Sequence, residues 1–390
     1  MPSQREPFLT AKLQGFGTTI FAEMSALALA TDSINLGQGF PDTDAPREIL
    51  DAAIEAINSG LNQYPPGPGM PVLRQAISAH QQRFYGLAYD PDREVLVTTG
   101  ATEALAGALL GLLDTGDEVV VFDPMFDSYA PCIAMAGAVA KPVLLRPPHY
   151  TFDPDELRAA VTAKTKLILL NTPHNPTGRV FTRDEMLSIA AIAIERDLIV
   201  VTDDVYEHLV FDGAAHVAMA ALPGMRERTL SISSGGKTFN TTGWKIGWLC
   251  GPAPLVQAAR TAKQFLTYVS GGPFQPAIAV GLGLPDAFFA GIAADLQAKR
   301  DRLLPGLVEA GFTVFSTSGT YFVTVDIRPL QPDGDGMAFC RALPRHCRVV
   351  AIPNEVLYAN KDAGRHLVRF AFCKRLDVLD EAVARLRTLG

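Results

Sequence analysis

The sequence predicts an α/β protein: a mostly parallel sheet flanked by helices, with a smaller α+β domain beside it. Three observations carry this. Short β-rich runs alternate with helical stretches through the middle of the 390-residue chain. Several of those runs are apolar at nearly every position, which suits strands covered on both faces. After about residue 285 the texture changes to a long helical stretch and a few short β-rich runs.

In chain order, residues 47–58 space their apolar side chains as an amphipathic helix does. Gly60 and the cluster Pro65-Pro66-Gly67-Pro68-Gly69 break the chain, and a second helical stretch covers about 71–85. β-rich runs follow at 94–99 (EVLVTT), 118–122 (EVVVF), 166–171 (KLILLN), 198–203 (LIVVTD) and 229–233 (TLSIS). Helical stretches fall between most of them, at about 102–113, 154–163 and 183–196. The later part opens on the helical AADLQAKRDRLLPGLVEAG, has short runs at 320–326, 348–352 and 366–371, and closes on a helix at 376–388. The expected division is a large domain over 45–285 and a small one made of 1–44 with 286–390. In such sheets ligands sit at the carboxyl ends of the strands, so the residues after each run are where chemistry is sought.

Composition narrows the function classes. Hydrophobic residues make up 48% of the chain and charged residues 19%, as in a packed globular protein. The net charge of −7 argues against nucleic acid as the main partner, because phosphate backbones attract basic surfaces. The five cysteines are scattered and form no CxxC pair, so neither a disulfide framework nor a metal site is expected. The N-terminus lacks the apolar core of a signal peptide, and no apolar run reaches the roughly 18 residues that span a bilayer. A soluble, cytoplasmic protein with no membrane partner is expected.

Five segments hold residues suited to chemistry. Lys237 follows a β-run and two glycines, which let the backbone come close to a ligand. Ser234 could offer a hydroxyl to a phosphate, and Lys245 adds a second positive charge of the kind that keeps a reactive lysine neutral. Asp203 ends LIVVTD; a carboxylate at the rim of a buried strand needs a positive partner, and Tyr206 lies three residues on. Asn175 sits in the proline-fixed stretch NTPHNPTG, with an amide that can donate to an oxygen. In TTGATEA a strand, a glycine and a helix start put the N–H groups of Ala101 and Thr102 where an anion binds. Phe126 could stack on a flat ring. Arg369, inside the apolar run HLVRFAF, needs an anionic partner, and a carboxylate fits its fork. Each has an ordinary alternative: a surface loop lysine, a helix N-cap at Asp203 or Asp204, an Asn-Pro turn, a core aromatic, a structural salt bridge.

Taken together the segments resemble the class I aminotransferases of pyridoxal 5′-phosphate (PLP) fold type I. The match is collinear through NLGQGFPD (35–42), LNQY (61–64), GATEA (100–104), NTPHNPTG (171–178), TDDVY (202–206), SSGGK (233–237), GWKIGW (243–248) and VRF (368–370). The resemblance implies a seven-stranded main sheet and a role for each residue. Lys237 resembles the Schiff-base lysine, Asp203 the partner of the pyridinium nitrogen, and Tyr206 and Asn175 the partners of the phenolic oxygen. Phe126 resembles the stacking ring, and Ala101, Thr102, Ser234 and Lys245 the phosphate cup. Arg369 resembles the α-carboxylate clamp, helped by Gly39 and Asn175. Tyr64 would reach the phosphate of a neighbouring subunit, which implies a homodimer.

Within the class, the chain is similar to N-succinyldiaminopimelate aminotransferases of lysine biosynthesis and to kynurenine/glutamine/methionine transaminases. LNQYPPGPG, DDVYEHLVFD, PFQPA and HLVRFAFCKR are closer to the first group. Asp204 departs from the usual glutamate, with little consequence expected; Met125 and His174 sit at variable positions where substrate contact is possible. The implied reaction is ping-pong transfer of an amino group between an L-amino acid and a 2-oxo acid, with N-succinyl-LL-diaminopimelate and glutamate as the leading pair. A cysteine-conjugate C–S β-lyase is a second reading, which product analysis separates. A non-catalytic PLP-binding regulator is a third, and would be expected to carry a DNA-binding domain.

Overall fold

Seven strands form the main sheet of the computed structural model, which describes residues 8–389. Their spatial order is Val95–Thr99, Ile246–Cys250, Thr229–Ser234, Ile199–Asp203, Thr165–Asn171, Glu118–Asp123 and Val139–Leu144. Six run parallel to one another; Ile246–Cys250 alone is antiparallel to both of its neighbours.

The continuous apolar runs have a direct cause. Successive strand side chains point to opposite faces, and here both faces are covered. Val119, Val121, Leu167 and Leu169 pack in one core with Ala104 and Ala108 of the helix Gly100–Leu112. The intervening Val120, Phe122, Ile168 and Leu170 pack in another with Met186 and Ile189 of the helix Arg183–Glu195. That helix starts on a capping box between Thr182 and Glu185, a feature worth about 1 kcal/mol. The helix Arg47–Asn58 buries Ile49, Ala53 and Ala56, the spacing of one helical face.

A second sheet is antiparallel throughout, in the order Ile352–Pro353, Leu367–Ala371, Phe322–Asp326, Thr313–Val314. The early segment joins this part of the molecule: Ile34–Asn35 pairs in parallel with Val349–Val350. Met24 of the helix Ile20–Ala30 shares a core with Leu303 and Leu307 of the helix Asp286–Glu309.

Several boundaries move. The helix expected from 102 starts at Gly100, and the one expected to 163 ends at Ala160. The closing helix stops at Leu386, followed by a 3-10 turn over Arg387–Leu389. The run at 348–352 divides between two sheets. Two main-sheet strands, Val139–Leu144 and Ile246–Cys250, were not singled out as β-runs. The first is an edge strand in which only Val143 is buried and Pro142 interrupts the run; the second is short and carries Gly247-Trp248 within it, shortly after Gly243-Trp244. The five cysteines are buried and free. Among the described residues no single helix is long and apolar enough to cross a membrane.

Candidate active site

Three adjacent parallel strands end on Asn171, Asp203 and Ser234, so the topology alone brings these residues to one rim. A cavity of about 360 Å³ opens there, closed on the far side by Phe322 and Arg369 of the smaller sheet. Gly39, Ala101, Thr102, Phe126, Asn175, Asp203, Tyr206, Ser234, Lys237, Lys245 and Arg369 all line it.

Lys237 sits on the single-turn helix Gly235–Thr238. The two glycines before it are there for space: a Cβ on Gly235 would come within 2.7 Å of Ile278, and one on Gly236 within 3.1 Å of the Thr242 backbone. The amine lies 3.4 Å from the Gly39 carbonyl and 5.7 Å from the ring centres of both Tyr206 and Tyr321. Burial lowers its pKa from 10.5 to about 8. Arg369 and Lys245 push the same way, while Cys373 and Asp203 oppose them. This is not a solvated loop lysine.

Asp203 is not a helix cap, since no helix begins at it or at Asp204. Its Oδ2 accepts a 2.6 Å hydrogen bond from the Tyr129 hydroxyl, and its Oδ1 is buried without a partner. Burial raises its pKa; Tyr129, the Val205 amide and Lys237 offset part of the rise. Asp204 turns the other way and accepts from Thr202 at 2.6 Å.

Arg369 is 1% exposed and makes no ion pair among the described residues, which removes the structural salt bridge. Its Nη1 donates to Asn175 Oδ1 at 2.8 Å and its Nη2 to the Gly37 carbonyl at 2.7 Å; Nε is buried with no partner. The guanidinium lies 3.9 Å from the centre of the Phe322 ring. Burial lowers its pKa to about 10. Asn175 is fixed in turn by its own N–H, which donates to Asn171 Oδ1 at 2.8 Å. With its oxygen committed to Arg369, its amide NH₂ is left as a donor.

The carbonyls of the strap 37–40 are held from the smaller sheet's side. Arg369 takes Gly37, the Tyr321 hydroxyl takes Gly39 at 2.5 Å, and Lys374 takes Phe40 at 2.7 Å. At the other end of the cavity, Gly100 has φ +71° at the start of its helix and Lys245 has φ +55°. A Cβ on Gly100 would come within 3.2 Å of Lys245 Nζ, so that amine lies against the helix N-terminus. Free N–H groups, a helix dipole and an ammonium thus converge where an anion is favoured.

Three residues fall outside. Tyr64 is 82% exposed and packs edge-on to Tyr268, with ring centres 5.8 Å apart. Met125 is a core residue, and His174 is buried against Thr177 Oγ1 at 2.8 Å, its pKa lowered to about 3 by burial. Neither lines the cavity. Tyr129, Asn171, Tyr321 and Phe322 belong to the site and were not singled out. Asn171 ends a β-run and its position could have flagged it; Tyr129 and Tyr321 depend on partners 74 and 282 residues away, and Phe322 on Arg369 of the neighbouring strand. Behind the sheet, His80 and His208 share a hydrogen bond of 2.7 Å between their Nε2 atoms. Beside them, Glu207 accepts from Tyr85 and Ser233 at 2.6 Å each.

The family model "Aminotransferase class I and II" matches residues 31–386. A Mycobacterium tuberculosis protein named "Probable N-succinyldiaminopimelate aminotransferase DapC" is 52% identical, with 97% of this chain and 98% of that protein covered. The solved structure of N-succinyldiaminopimelate aminotransferase from Mycobacterium tuberculosis superposes with a TM-score of 0.96 at 53% identity, covering 98% of this chain and all of that one. The structure of YbdL from Escherichia coli, described as having a methionine aminotransferase function, gives 0.93 at 39% identity, covering 97% and 99%.

Proposed function

The chain belongs to the class I and II aminotransferase family, and we propose that its pocket holds PLP on Lys237 and uses N-succinyl-LL-diaminopimelate with glutamate as its amino-group pair. The residues present fit the cofactor. Asp203 offers an unpartnered buried oxygen suited to a ring N–H. Ala101, Thr102, Ser234 and Lys245 line the cavity and suit an anion, and Phe126, also in the lining, offers a ring to stack against. Tyr206 and the free amide of Asn175 suit the phenolic oxygen. When bound, PLP supplies an electron sink for the charge left at the substrate Cα.

The chain's own groups do the rest. Arg369 is already oriented by Asn175 and Gly37, and its remaining N–H donors take the substrate α-carboxylate as a fork. The Lys237 amine, lowered to about 8, is partly free base near neutral pH. It is suited to take the Cα proton and to return it to the carbon on the far side of the transferred nitrogen, as general base and then acid. The observation that carries this reading is the shared cavity: Lys237, Asp203 and an unpaired Arg369 face one another in it.

The substrate rests on the 52% identical relative and its printed name. The methionine aminotransferase function given for the 39% identical structure keeps a broader amino-donor range as the second reading. We also read the enzyme as a cytoplasmic homodimer. Leu61, Tyr64, Phe265, Leu266 and Tyr268 are exposed apolar or aromatic side chains, which support a buried face between copies. On this reading the chain divides into a large domain over 45–285 and a small one over 1–44 with 286–390, and Tyr64 completes the partner's phosphate site.

The test is spectroscopic. PLP is added to the purified protein, the visible band is recorded, and N-succinyl-LL-diaminopimelate, glutamate, glutamine, kynurenine and methionine are added singly. Rapid bleaching by the succinylated donor is expected. Bleaching by methionine, glutamine or kynurenine alone would move the assignment to the broader group, and absence of a Lys237-dependent band would remove the cofactor reading.

A further inference from the structure

Asp203 is faced by Tyr129, Tyr206, Lys237 and Asp204. Only one of these, Tyr129, gives it a side-chain hydrogen bond, at 2.6 Å to Oδ2. The turn that delivers Tyr129 is the one that delivers Phe126: the Tyr129 N–H donates to the Phe126 carbonyl at 3.0 Å, and the two rings meet edge-on at 5.8 Å and 79°. Tyr129 is 3% exposed, and both residues line the cavity. One short turn therefore supplies a ring for stacking and a hydroxyl that occupies one oxygen of the acid beneath the cofactor, leaving the other oxygen free.

We propose that Tyr129 is a positioning residue: its hydroxyl holds the Asp203 carboxylate ionised and orients the unpartnered Oδ1 toward the cofactor's ring nitrogen. This rests on the PLP reading above. The physical reason is that a buried carboxylate without a donor favours its neutral form, and a neutral Asp203 cannot pair with a cationic ring nitrogen. A phenol is a suitable donor because its own ionisation is pushed well up by burial beside Asp203, so it keeps its proton. Among the described residues the hydroxyl has no other hydrogen-bond acceptor, which commits it to Asp203.

The experiment compares wild type, Tyr129→Phe, Asp203→Asn and the double variant, reading PLP dissociation constants by fluorescence titration across pH 5–9. In the wild type, the Lys237-dependent visible band must appear; if it does not, the cofactor reading fails and not this inference alone. With the band present, Tyr129→Phe is expected to weaken PLP binding about tenfold, as for loss of a hydrogen bond to a charged group. It is also expected to move the acid limb of binding up by about one pH unit. Adding Tyr129→Phe to Asp203→Asn should change neither. Equal effects in both backgrounds, or an unmoved acid limb, would make Tyr129 a packing residue and overturn the proposal. If Tyr129→Phe does not fold, Tyr129→Trp, which keeps the bulk and one N–H donor, is read against Asp203→Asn in the same cycle.

Discussion

The Arg369 guanidinium stacks 3.9 Å from the centre of the Phe322 ring and makes no ion pair among the described residues. A buried cation flanked by the Phe21 and Phe322 rings and bonded to an amide and a carbonyl, with the Asp127 carboxylate acting on it only through space, is under-neutralised, and burial depresses its pKa to about 10. Its charge is available to an incoming anion.

Replacing it should therefore cost substrate recognition more than stability. Arg369→Lys keeps the charge but loses the fork. We expect kcat/KM to fall by about 100-fold or more, on the order of 3 kcal/mol, while the Lys237-dependent band is retained. Steady-state kinetics with two donors, together with the absorption spectrum, checks both halves.

Lys237 is expected to govern how the protein takes up its cofactor. With a pKa of about 8 instead of 10.5, the amine loses its proton as pH rises through 8. The rate at which the cofactor-free protein captures PLP should climb from pH 6.5 and level off above about 8.5. A rate still climbing at pH 10 would mean that the amine is not depressed.

Glu207 carries a stability prediction with a definite sign. Burial raises its pKa from 4.5 to about 7, against the Ser233 and Tyr85 hydrogen bonds that lower it. The folded state holds this proton more tightly than the unfolded one, so the group destabilises the fold progressively as pH rises from about 4.5 through 7. Glu207→Gln removes that cost. The variant should gain on wild type over this window, approaching on the order of 3 kcal/mol by about pH 8. Urea melts at pH 5 and pH 8 test it.

Gly39→Ala should disturb the strap. A Cβ there would collide with the Phe322 ring and come within 2.8 Å of Tyr321, both buried. Overpacking of this kind costs about 1–3 kcal/mol. The effect should appear as a raised KM and a lowered thermal midpoint.

Much of this was legible in the sequence, and for a physical reason. A strand covered on both faces writes a continuous apolar run, and the rim lies at the end of each: Asp203 ends one run, Asn171 ends another though it was not singled out, and Ser234 lies one residue past a third. Arg369 stands out because a charge in an apolar strand needs an explanation. What stayed hidden depends on distant pairing. Ile246–Cys250 reads as a glycine-rich motif until its two antiparallel neighbours are known. Tyr129 looks like any helix-start aromatic until Asp203 is seen 74 residues away, and His80 meets His208 across 128. Tyr64 lies exposed and away from the cavity, edge-on to Tyr268.

The strap 37–40 carries a mechanical consequence. Its three carbonyls are gripped by Arg369, Tyr321 and Lys374, all on the smaller sheet or its flanks. The pairing of Ile34–Asn35 with Val349–Val350 ties its upstream end to the same body. Strap and clamp are thus two teeth of one jaw. Arg369 and the Gly39 backbone are anchored to the same smaller sheet, and the Lys237 amine, 3.4 Å from the Gly39 carbonyl, meets that anchored strap from the main-sheet side.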